Sequence, residues 1–172
     1  SDVYVPLENR VRIAQRANAD LFISLHSDAG PNASLSGASV YTLSDKASAR
    51  GQKFVSRDDW FMKASLTNDT GVRDILFDLT QRATRNRSAS FAQMLVANIE
   101  GNAPLLRRSQ RDAGFMVLLS PNVPAVLLEM GFVTNLDDEQ FLRDPQSRGR
   151  LMGAVANSID EYFEESTRLA AR

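Results

Sequence analysis

His26 is the single histidine in 172 residues, and it stands at the end of the apolar run "LFISLH". Glu129 closes a second run, "AVLLE". An imidazole and a carboxylate are groups that ligate a metal or relay a proton near neutral pH. Residue type alone does not force that reading, because a lone histidine at a strand end also serves as a structural donor to a nearby carbonyl. Glu129 is harder to place in a bland role. A glutamate directly after Ala-Val-Leu-Leu lies near a sheet core, where carboxylates are rare unless paired or engaged. Burial there raises the pKa of a carboxyl, which suits a general base.

Both residues end strands in an expected α/β fold, a mostly parallel sheet covered by helices on both faces. In open sheets of that kind, ligands bind beyond the carboxyl ends of the strands, so His26 and Glu129 are expected to line one cleft. After Pro6, the residues Leu7, Val11 and Ala14 recur at helical spacing up to about Asn18. Strands are expected at 21–26, 38–43, 115–120 and 125–131, the last two split by the turn "PNVP". Their continuous apolarity is that of strands covered on both faces. Helical patterns occupy the stretch after Ser44, 72–83 (with Val72, Ile75, Leu76 and Leu79 on one face) and 88–99. A short helix follows Asn135 as its cap. A last helix starts at Pro145, with Leu151, Val155, Ile159 and Tyr162 facing inward.

Composition excludes several function classes. Twenty basic and 21 acidic residues leave a net charge of -1, which makes no case for nucleic acid or an anionic membrane. The absence of cysteine removes disulfides and thiolate metal sites. No apolar run approaches the ~20 residues of a membrane span.

The words around the two strand ends are specific. "ENRVRIAQRANADLFISLHSDA", "NRSASFAQMLVANI" and "GFMVLLSPNVPAVLLEMGFVTNLDDEQFL" occur in this order. Together they resemble the zinc-dependent N-acetylmuramoyl-L-alanine amidases of bacterial cell walls, whose "ADLFISIHxNA" and "VPAVLVExGFxSN" blocks they match. The resemblance implies that His26 is a zinc ligand and Glu129 the catalytic carboxylate. The implied substrate is peptidoglycan, cleaved at the amide between N-acetylmuramic acid and L-alanine. Asp28 stands where an asparagine is commoner, a change with no obvious chemical consequence. The family's other two zinc ligands, a histidine in a "DPGHGG" segment and a helical glutamate, have no counterpart here. Residues 1–172 are accordingly expected to be the C-terminal portion of one catalytic domain, with an export signal and the missing ligands upstream and a site in the periplasm or cell envelope.

The stretch of about 44–86 is longer than in the shortest relatives and resembles the regulatory insertion of the division-associated amidases. It implies a helical segment that blocks the zinc cleft until an activator protein displaces it, with Asp58 and Asp59 as acids able to approach the cation. Trp60 and Phe61 beside them suit either a docking patch or core packing. The basic clusters 81–87 and 105–111 suit either anionic wall groups or solvated faces. The alternative to an enzyme is a non-catalytic wall-binding or regulatory relative whose zinc site is incomplete.

Overall fold

The strand that ends in Glu129 is buried at every position, a pattern that requires cover on both faces. The computed structural model describes residues 3–47 and 70–170. Helix α1 spans Leu7–Arg16, β1 Phe22–His26 and β2 Ala38–Leu43. Helix α2 spans Thr70–Ile99, β3 Leu105–Ala113 and β4 Ala125–Glu129. Helices α3, Leu136–Arg143, and α4, Pro145–Ala170, complete the order. The four strands form one sheet in the order β1-β4-β2-β3.

Strand directions follow from the ladder bonds. Phe22 N–H donates to the Pro124 carbonyl at 2.8 Å and Met130 N–H to the His26 carbonyl at 2.9 Å, so β1 and β4 run the same way. The bonds of Ala38 to Pro104 and Ser44 to Ala113 make β2 and β3 run alike as well. Between these pairs β2 meets β4 antiparallel, with Ser39 opposite Glu129 and Val40 opposite Leu128. The α/β class and the preponderance of parallel pairing agree with the expectation from sequence. No helix among the described residues is long and apolar enough to cross a membrane.

Contacts divide the chain into two compact units. The first comprises Ser1–Ile23, Thr42–Ser88 and Asp112–Val126. In it α1 is stopped past its Ala17 cap by Asn18, whose φ of 49° is left-handed. Asn18 N–H bonds the Gln15 carbonyl and Ala19 N–H the Ala14 carbonyl, which satisfies the last turn. Val11 and Ala14 are buried as expected, whereas Leu7 is exposed. Helix α1 packs against a 3-10 turn at Met116–Leu118. A strand was expected over 115–120. Residues 117–120 are buried and Phe115 is exposed; a short apolar run of that kind is ambiguous between strand and helix, and here it turns. The expected helices 72–83 and 88–99 are one helix. No glycine or proline interrupts Thr84–Ser88, and the Ser88 hydroxyl donates to the Thr84 carbonyl while accepting Ala125 N–H at 2.9 Å. The buried positions of this half of α2 are Phe77, Gln81, Thr84 and Ser88, and the face with Val72, Ile75, Leu76 and Leu79 is exposed.

The second unit comprises Ser24–Tyr41, Ala89–Arg111 and Leu127–Arg172. Phe91 of α2 meets Tyr162 of α4 edge to face, with ring centroids 5.4 Å apart. Asn135 caps α3 by accepting from Asp137 and Asp138 N–H, and Asp144 caps α4 by accepting from Ser147 N–H at 2.8 Å, one residue before Pro145. The carboxylate of Asp138 is buried and gathers three donors. These are Phe132 N–H at 2.8 Å, Gly37 N–H at 2.9 Å and the Ser36 hydroxyl at 2.8 Å. It thereby ties the entry to β2 to the segment that leaves β4. Both glycines are required there. Gly37 has φ 100° and a Cβ would lie 2.6 Å from the backbone of Leu105, while Gly131 has φ 148° and a Cβ would press on Asp138 at 3.1 Å.

Removing the Asp138 carboxylate strands two buried N–H groups. Asp138→Ala is therefore expected to cost about 3 kcal/mol of stability in urea unfolding. A loss below about 1 kcal/mol would show that the clamp contributes little.

Candidate active site

Strand β1 delivers His26 and strand β4 delivers Glu129, and the turn after each strand is bonded to the other. Val133 N–H donates to the Asp28 carbonyl at 3.1 Å, and Gly30 N–H donates to the Thr134 hydroxyl at 2.9 Å. This stitching brings the Asp28 backbone onto Glu129, whose Oε1 accepts Asp28 N–H at 2.9 Å. His26 Nδ1 lies 3.4 Å from Asp28 Oδ1, and its Nε2 lies 3.1 Å from Ser24 Oγ. One ligating atom from each of His26, Asp28 and Glu129 lies within 4.8 Å of the other two. An imidazole nitrogen with two carboxylate oxygens is a donor set that zinc accepts.

Glu129 is 4% exposed. Burial pushes its carboxyl above the ordinary glutamate range, and the hydrogen bond from Asp28 N–H opposes that rise. The Asp28 carboxylate adds to the rise, His26 opposes it, and the Asp138 carboxylate adds a smaller push upward. The result is a base that holds its proton to a higher pH than a solvated glutamate.

The two residues singled out from the sequence are thus brought together. Asp28, by residue type a mild replacement for asparagine, supplies both a backbone donor to Glu129 and a carboxylate beside His26. Its signal was the spacing His-x-Asp immediately past a strand end. Asn135 does cap the following helix, and its Nδ2 also donates to the Ala33 carbonyl at 2.7 Å. Three arginines of the basic clusters have local partners. Arg82 pairs with Asp78, Arg85 with Asp45, and Arg111 lies over the Tyr41 ring. Cluster 105–111 falls in β3, which the sequence did not reveal as a strand. Asp58, Asp59, Trp60 and Phe61 lie outside the described residues.

Comparison with known proteins gives one consistent answer. A family model described as N-acetylmuramoyl-L-alanine amidase matches residues 1–161. The N-acetylmuramoyl-L-alanine amidase AmiA of Salmonella typhimurium is 36% identical over 168 residues, covering 94% of this chain and 58% of its own length. The corresponding AmiC of Escherichia coli O6:H1 is 31% identical, covering 99% of this chain and 42% of its own length. The chain thus spans about half the length of these relatives. Among solved structures, the N-acetylmuramoyl-L-alanine amidase of Clostridium difficile 630 superposes with a TM-score of 0.65 at 20% identity, over 95% of this chain and 68% of that one. The CwlD amidase of Clostridioides difficile, in complex with the GerS lipoprotein, gives 0.64 at 18% identity, over 92% and 61%. At such identities the likeness speaks for the fold.

The raised pKa of Glu129 has a thermodynamic consequence. The native state holds this proton more tightly than the unfolded chain, so stability is greatest below the unfolded pKa and declines until the native carboxyl has ionised. Glu129→Gln removes that decline. With metal chelated, the stability of the variant relative to wild type is expected to improve as the pH rises above the ordinary glutamate range, in urea unfolding. A difference independent of pH would contradict the burial argument.

Proposed function

The chain belongs to the N-acetylmuramoyl-L-alanine amidase family, and from that premise we propose that it hydrolyses the amide between N-acetylmuramic acid and L-alanine in peptidoglycan, in the periplasm or cell envelope. The observation that carries this reading is the buried carboxylate of Glu129, anchored by Asp28 N–H beside His26. His26 is the zinc ligand in this reading, and Asp28 is a further oxygen donor within reach. Zinc held there supplies polarisation of the scissile carbonyl and a lower pKa for the attacking water. Glu129 accepts the proton released by that water and delivers it to the departing amine. The Asp28 N–H keeps Oε1 oriented.

Ligand counting favours one other reading. With one histidine and no cysteine, these residues alone hold fewer nitrogen donors than a catalytic zinc commonly uses, which suits a non-catalytic wall-binding relative. The shared test is the full-length protein. Glu129→Gln is expected to retain zinc and lose hydrolysis of purified peptidoglycan by a factor of about 100 or more. Full activity in that variant would remove Glu129 from the mechanism, and no zinc in the wild type would favour the non-catalytic reading.

We also propose that the segment of about 44–86 gates the reaction and is displaced by an activator protein. Two observations support this. The exposed face of α2 carries four apolar side chains, Val72, Ile75, Leu76 and Leu79, a surface suited to a protein partner. The CwlD relative was solved with a lipoprotein partner. Because residues 70–86 continue into the body of α2, the informative replacement is 48–69 by a short Gly/Ser linker. In the same assay without any partner, the rate is expected to rise. An unchanged rate in a folded, zinc-loaded protein would rule the gate out.

A further inference from the structure

One polar group of the sheet, the Ser39 hydroxyl, is fully buried. Ser39 lies on β2, flanked by Ala38 and Val40, and all three are 0% exposed. Among the described residues its hydroxyl has no hydrogen-bond partner. The large majority of buried side-chain polar atoms in native proteins are hydrogen-bonded, and an alanine would satisfy the packing of such a site without an orphaned oxygen. The position of this orphan is informative. Ser39 is the residue directly opposite Glu129 in the antiparallel β2–β4 ladder. Directly opposed residues project from the same face of a sheet, with their Cβ atoms about 5 Å apart. The neighbour across the ladder is therefore a buried carboxylate with one oxygen held by Asp28 N–H and no second hydrogen bond from the described residues.

We propose that Ser39 is a positioning residue for Glu129. By a turn about its Cα–Cβ bond or through one bridging water, its hydroxyl donates to the carboxylate oxygen that Asp28 leaves free. Two donors from two different elements then fix the plane of the carboxylate, one from the turn after β1 and one from β2. A carboxylate held at one oxygen alone swings about its Cγ–Cδ bond. When Glu129 takes a proton from the attacking water, the serine hydroxyl rotates and accepts the new carboxyl O–H, and no proton leaves the serine. A hydroxyl suits both states, because it is donor and acceptor at once.

This role rests on the reading of Glu129 as the base, and the test separates the two. In the full-length protein, Ser39→Ala is expected to melt at the wild-type temperature or above and to hold zinc with affinity within about twofold of wild type. Its kcat on a soluble muramoyl-peptide is expected to fall about tenfold or more, with KM unchanged. High-resolution crystals of the wild type are expected to place Ser39 Oγ on the free Glu129 oxygen or on one water shared with it. An unchanged kcat in Ser39→Ala overturns the proposal, as does a joint loss of melting temperature, zinc and activity, which marks a purely structural serine. A wild type that cleaves nothing while the Ser39–Glu129 link stands in the crystal removes the proposed reaction and leaves the contact itself established.

Discussion

The organisation of this site depends on keeping one carboxylate out of water. Glu129 ends a strand that is buried along its whole length, and an isolated buried carboxylate is strongly disfavoured. The compensation comes from the backbone. Asp28 N–H reaches Oε1 only because the turn after β1 is bonded to the segment after β4 through Asp28–Val133 and Gly30–Thr134. The same turn places the Asp28 carboxylate beside His26. One constraint, a buried carboxylate at the end of a central strand that must find a donor, thus gathers the imidazole, both acids and two turns at one place.

Behind this first layer stands a second carboxylate with an opposite task. Asp138 is fully engaged by the donors of Ser36, Gly37 and Phe132 and has no capacity left for chemistry. It fixes the start of β2 relative to the turn that leaves β4. The approach leaves no room for a side chain at Gly37, and at Gly131 the positive φ and the nearby Asp138 side chain favour glycine. Glu129 is under-satisfied and reactive in the proposed account, while Asp138 is satisfied and structural. Donor count, rather than burial, separates the two roles.

Strong local signals carried most of the fold. The strands ending at His26 and Glu129, the strand 38–43, the Asn135 cap and the start of α4 at Pro145 could all be read directly, because each has apolar patterning or a capping residue of its own. Strand β3 could not. It lies at the end of the sheet order and carries Arg107, Arg108 and Arg111, and charge on such an outer strand discourages edge pairing but hides the strand from a hydrophobic reading. The apolar run 115–120 has the pattern of a strand but forms a 3-10 turn at Met116–Leu118. In the site, His26 and Glu129 stood out by type. Asp28 and Ser39 did not, since their importance lies in a backbone N–H and in a cross-strand register, which residue identity does not encode.

The central claim is that His26 holds a zinc ion beside the Glu129 carboxylate. Anomalous diffraction at the zinc absorption edge, from crystals of the full-length protein, tests it directly. The account predicts one peak at about 2.0–2.1 Å from a ring nitrogen of His26, next to Glu129. A zinc peak bound away from His26, or zinc-replete crystals with no peak at this turn, would contradict it.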